Sequence, residues 1–170
     1  MKNTLVIHPQ DESTDFLKDI YHGKGWGVMT NPYCDEYKLK DYIISNDRIV
    51  ILGHGSSDGL FGGLWMMINS DFVGILKNKE CVCVWCNADQ FVQNYGLNGF
   101  HSGMFISETL EADFYGIPTN ESEISQSNHL FANLLNEHIF NDNVLDKMQT
   151  QYQDKDNPII SFNRERLYSS

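Results

Sequence analysis

Two stretches of this chain, "RIVIL" at Arg48–Leu52 and "ECVCVW" at Glu80–Trp85, are apolar at every position after the first. A strand with one wet face alternates apolar and polar residues. Strands without that alternation belong in a sheet covered on both sides. The covers are present in the sequence, because helical apolar spacing recurs between the strand-like runs. Strands joined through helices run parallel, so the predicted architecture is a three-layer α-β-α sandwich around a mostly parallel sheet.

Thr4–His8 reads as the first strand, Asp15–Tyr21 as a helix through Phe16, Leu17 and Ile20, and Trp26–Met29 as a second strand. "NPYCDEYKLKDYIIS" places Pro32 close to a helix start and continues with a stripe through Tyr33 and Tyr37. Residues 60–68, "LFGGLWMMI", suit a small hairpin about Gly62 and Gly63, after which Asn69 or Ser70 caps a helix running to Leu76. "NADQFVQNYG" follows the second apolar strand as a turn and short helix, and "GMFIS" at 103–107 is a candidate fifth strand. Beyond Gly116 and Pro118, Asn120 with Glu123 forms a capping-box signature. The helix it opens carries Ile124, Phe131, Leu134, Leu135 and Ile139 on one face. Another helix is expected over Val144–Tyr152, with "PIISF" a final strand or extended tail and "RERLYSS" a loose end. No repeat or linker divides the chain, so residues 1–170 are read as one domain.

Charge narrows the partners. With 12 Lys and Arg against 23 Asp and Glu, the net charge is -11, which repels a phosphate backbone and argues against nucleic acid. The N-terminal apolar stretch is only Leu5–Ile7, too short for a signal peptide or a membrane span, so no membrane partner is expected. Three of the four cysteines fall within residues 81–86, where i and i+2 neighbours on a strand cannot bridge. Reduced thiols and a cytoplasmic location follow as expectations.

Parallel sheets place ligands beyond the carboxyl ends of their strands. At that edge the third strand ends in His54, between Gly53 and Gly55, and the fourth ends in Cys86. An imidazole beside a thiol can take its proton and later deliver one to a leaving amine. Backbone amides at Gly55 and Cys86 would serve the developing oxyanion. Cys81 and Cys83 share the opposite strand face and read as core, so the three clustered thiols do not converge on a metal. His8, at the end of the first strand, is incidental in this reading. "GHGSSDGLFGG" lacks the Lys and Ser/Thr of a nucleotide loop, and Ser56 lacks a strand-turn-helix elbow.

A hydrophobic strand ending in His-Gly, followed by one ending in Cys, resembles the caspase–hemoglobinase superfamily of cysteine peptidases. That grouping includes caspases, legumains, clostripain-like and gingipain peptidases, separases and CHAT domains. The stretches that carry it are "RIVILGHGSSDGLFG", residues 48–62, and "ECVCVWCNADQF", residues 80–91. The resemblance implies a caspase-like fold and hydrolysis of a peptide or protein substrate through a thioester. Cys86 would be the nucleophile, His54 the general acid/base, and the amides of Gly55 and Cys86 the oxyanion hole. It also implies a charged specificity pocket, for which Asp58, Asp89 and Asp113 are candidates; separately, Trp65, with Met66 and Met67, is a candidate apolar wall for a substrate side chain. No cofactor and no metal are expected. Two other readings stand beside this one. The chain could be a catalytically inactive caspase-like interaction domain. It could instead be a flavodoxin-like small-ligand module whose phosphate loop would be "HPQDEST", with Ser13 and Thr14 but no glycine.

Overall fold

The computed structural model describes residues 2–170. Among the described residues nine strands form: β1 Thr4–Ile7, β2 Gly27–Met29, β3 Arg48–Leu52, β4 Gly55–Ser56, β5 Gly59–Gly62, β6 Trp65–Ile68, β7 Glu80–Val84, β8 Asn98–Ser102 and β9 Leu167–Ser169. Six of them make the main sheet in the order β2-β1-β3-β7-β8-β9, parallel except for β9. The sheet is a largely parallel layer between two helical layers.

The two unbroken apolar strands show why both faces are needed. Ile49, Ile51, Cys81 and Cys83 join one core with Leu39, Ile43, Phe72, Leu76 and Phe91. Val50, Leu52, Val82 and Val84 join another with Leu17, Ile20, Phe131, Leu135 and Met148. Each such buried side chain contributes roughly 1.5–3 kcal/mol relative to exposure. A one-sided sheet would forfeit half of that.

On the first face lie α1 Glu36–Ile44, α2 Val73–Leu76 and α3 Ala88–Tyr95. On the second lie a 3-10 helix, Glu12–Ile20, with α5 Glu121–His138, α6 Val144–Gln151 and α7 Pro158–Arg164. The capping box forms as its residues suggest: Asn120 Oδ1 accepts from the Glu123 amide at 3.1 Å, and Glu123 Oε2 accepts from the Asn120 amide at 3.1 Å. The short strands β4, β5 and β6 form a separate antiparallel sheet between β3 and α2.

Four expectations change. The first helical segment is 3-10 rather than α, starting at Glu12 with Asp11 as its cap. The fifth parallel strand is β8, not residues 103–107. That segment leaves the sheet because the Gly103 amide donates to the Arg166 carbonyl and both backbone groups of Ile106 are taken by the Asn163 side chain. "PIISF" is helical: Asn157 Oδ1 accepts from the Ile159 and Ile160 amides, and Pro158 takes the first-turn position that needs no donor. The C-terminal "LYS" is not loose but pairs antiparallel with β8 as an edge strand. A further helix, α4 Thr109–Phe114, was not anticipated.

Candidate functional site

β3 and β7 are direct neighbours, with Leu52 opposite Val84, so His54 and Cys86 emerge at the same carboxyl edge. Both line a small, partly open space of about 20 Å³, walled also by Phe16, Phe105 and Ser107. Their polar atoms are nevertheless engaged elsewhere. Cys86 Sγ donates to the Phe105 carbonyl at 3.5 Å and lies 3.9 Å from Glu111 Oε1. Burial, and after it the Glu111 carboxylate, push its thiol up to about 11. At neutral pH the sulfur therefore stays protonated, the opposite of what a nucleophilic cysteine needs.

His54 Nε2 sits 2.6 Å from Ser13 Oγ, which donates to Asp11 Oδ1 at 2.7 Å. With the Ser13 proton directed to the carboxylate, the imidazole N–H is the group that donates to Ser13. Asp11 also accepts the Ser13 amide, and these bonds, the side-chain one first, hold its carboxyl below the ordinary value. The ring is thus tied to the 3-10 helix rather than to the thiol. No Cys86–His54 hydrogen bond forms.

The remaining predicted residues separate. A Cβ on Gly55 would stand 2.2 Å from Trp85 Cδ1 and 2.4 Å from the Gly59 carbonyl, so its small size serves packing against Trp85. Trp85 Nε1 in turn donates to the Ser56 carbonyl at 2.9 Å. Asp58 lies exposed in the β4–β5 turn, and Asp113 lies exposed on α4. Asp89 lies in the first turn of α3, with Oδ1 buried and without a hydrogen-bond partner among the described residues. Trp65 is 71 % exposed on β6, beside Tyr33 and Met66. These four do not share a pocket. His8 is buried between the Tyr21 hydroxyl and Thr14 Oγ1, and burial lowers its pKa to about 4. Among the described residues no three His, Cys, Asp or Glu side chains converge as a metal site.

What sequence reasoning missed is a groove of about 510 Å³ opening beside the same edge. The 3-10 helix supplies Ser13 and Phe16, α4 and its cap supply Glu108 and Leu110, and α5 supplies Ile124 and Asn128. Ser13 and Phe16 already stood in or beside the loop after β1. The groove could not be read from them, because its opposite wall is α4, which carried no sequence signal.

No family model matches this chain, and no curated protein matches it. Among solved structures, the Trp repressor binding protein from Bacillus subtilis is similar at 10 % identity and a TM-score of 0.43, over 79 % of this chain and 96 % of that one. A likeness of that size carries no argument about what this chain does. The resemblance to the caspase–hemoglobinase superfamily thus finds no support in any comparison. With the thiol capped by a carbonyl and a carboxylate and the imidazole clamped to Ser13, the cysteine-peptidase reading, its His/Cys dyad and its oxyanion hole are withdrawn.

Proposed function

We propose that this chain is a small-ligand-binding α/β module whose ligand lies in the groove at the carboxyl edge of the sheet. The single observation that carries the reading is that groove: about 510 Å³, in the ordinary size range for small-molecule sites, with Phe16, Leu110 and Ile124 as apolar walls and polar or charged side chains at the other eight lining positions. Its place agrees with the rule that parallel sheets bind beyond their carboxyl ends. Setting the β4–β6 hairpin strands aside, the five parallel strands follow the flavodoxin-like order 2-1-3-4-5, which supports the same location.

Sheets of this order hold flavin mononucleotide near the first and third strands. The residues here do not fit that group. The segment after β1, residues 8–14, which runs into the 3-10 helix, contains no glycine and no Lys or Arg, and it carries the acidic residues Asp11 and Glu12, which repel a phosphate. Ser13 Oγ, the hydroxyl such a phosphate would use, is committed to Asp11 and His54.

The test is a ligand-observed NMR screen of a fragment library against the intact chain and against Ser125→Trp, which places a large ring on an exposed position of the groove wall. Hits are expected that bind the native chain and are lost in the variant while its melting temperature is kept. A library without hits, or hits that bind both proteins equally, overturns the reading.

A further inference from the structure

The chemistry of the groove is one-sided. Glu12, Glu108 and Glu121 line it, and none of the three belongs to an ion pair among the described residues. No Lys or Arg lines it, and its one imidazole, His129, lies 3.3 Å from Asp19. Acidic side chains on a surface are by themselves only a solvated face. Here a second and independent feature lies among them. Asn128, 8 % exposed, lines the groove, and its Nδ2 is spent on the Ser107 carbonyl at 3.0 Å. That bond fixes which end of the amide is which, so the other end is an acceptor. Asn128 Oδ1 is closed to solvent and receives no hydrogen bond among the described residues. A buried acceptor without a donor costs on the order of 1–3 kcal/mol, a cost that a donor from outside removes.

Resting on the ligand-binding reading above, we propose that the groove takes a small organic ammonium. Its N–H group donates to Asn128 Oδ1, its positive charge faces Glu12, Glu108 and Glu121, and its hydrocarbon or aromatic body lies against Phe16, Leu110 and Ile124. Asn128 Oδ1 is closed to solvent, so this bond requires a local rearrangement of the groove wall. An anion meets three carboxylates and is refused. A neutral alcohol keeps the apolar contacts and loses the charge term.

Three probes of nearly equal shape separate these terms: phenethylammonium, 2-phenylethanol and 3-phenylpropionate. Isothermal titration should give phenethylammonium about tenfold or more tighter binding than the alcohol, with no detectable binding of the carboxylate. That preference should shrink when ionic strength rises from about 0.02 M to about 0.5 M, and in the exposed double variant Glu12→Gln/Glu121→Gln. In ¹⁵N-labelled protein the Asn128 side-chain amide signal should move on titration with phenethylammonium. Equal or tighter binding of the alcohol or the carboxylate overturns the ammonium assignment. If Ser125→Trp still abolishes that binding, the groove reading stands without it. Absence of phenethylammonium binding, or binding that leaves the Asn128 amide signal unmoved, overturns it also, whereas the groove reading is judged on the fragment screen.

Discussion

Cys86 Sγ lies 3.9 Å from Glu111 Oε1, and the other oxygen of that carboxylate accepts from the Ser107 and Glu108 amides at 2.7 and 3.2 Å. The thiol's charged neighbour is therefore a carboxylate held in place by the start of α4. This one relationship separates two outcomes that look alike at the level of strand ends: a thiol at the right rim, and a thiol able to react.

Alkylation by iodoacetamide at about pH 8 should be at least a hundredfold slower at Cys86 than at a free cysteine, since so little thiolate is present. Glu111→Gln should speed it severalfold, by removing the nearby charge. The raised pKa also has a stability sign. The folded form prefers the protonated thiol, so this contribution is complete below about pH 9 and is lost as pH rises through about 11. Mass spectrometry of alkylated native protein reads the first effect, and urea unfolding across alkaline pH reads the second.

His8 works in the other direction. Its folded pKa of about 4 lies below the ordinary 6.5 because burial opposes the charged ring. Its contribution is present above pH 6.5 and is lost as pH falls through about 4. The group is worth roughly 3 kcal/mol across that window. In His8→Gln, which cannot titrate there, the fall in urea-unfolding free energy between pH 7 and pH 4 should be smaller by about that amount. An unchanged pH dependence would assign the loss to other groups.

Asp11 caps the 3-10 helix by accepting from the Ser13 amide at 3.0 Å and anchors the Ser13–His54 link. Asp11→Ala should cost about 1 kcal/mol at pH 7, the ordinary worth of such a cap. Because its carboxyl pKa is lowered in the folded chain, the difference between native and variant should be complete above about pH 3.8 and should vanish as pH falls through the lower folded value.

Gly55 and Gly74 offer a paired test. Alanine at Gly55 drives a methyl into Trp85 and the Gly59 carbonyl and should cost about 1–3 kcal/mol or prevent folding. At Gly74, inside α2, a Cβ meets nothing within 4 Å, and alanine should stabilise by about 0.4–1 kcal/mol. Thermal melts of the two variants should move in opposite directions.

Asn163, on α7, accepts from the Ile106 amide at 2.7 Å and donates to the Ile106 carbonyl at 2.8 Å, all buried. Through Ile106 it positions the neighbouring Phe105 carbonyl that accepts from Cys86. Asn163→Ala should cost about 2–4 kcal/mol, since it leaves two buried backbone groups without partners. It should also raise Cys86 alkylation in native protein. Destabilisation without any change in alkylation would separate the two roles.

The sequence alone determined the layers. "RIVIL" and "ECVCVW" are apolar on both faces, and burial on that scale admits only a sheet covered twice, whatever the rest of the chain does. The adjacency of the strands ending near His54 and Cys86, and the cap at Asn120 and Glu123, were legible for the same reason: each depends on a short pattern and on local hydrogen bonding. The tail was not, because "LYS" becomes a strand only when β8 offers it an edge, and "PIISF" becomes a helix through the Asn157 cap within its buried setting. Only tertiary structure decided the chemistry of the rim. Whether a thiol meets an imidazole or a carboxylate turns on α4, on the loop held by Asn163, and on Ser13 reaching His54 from 41 residues away. Those are side-chain distances between segments far apart in the chain, and a shift of a few ångströms, invisible to any pattern, reverses the charge a sulfur feels.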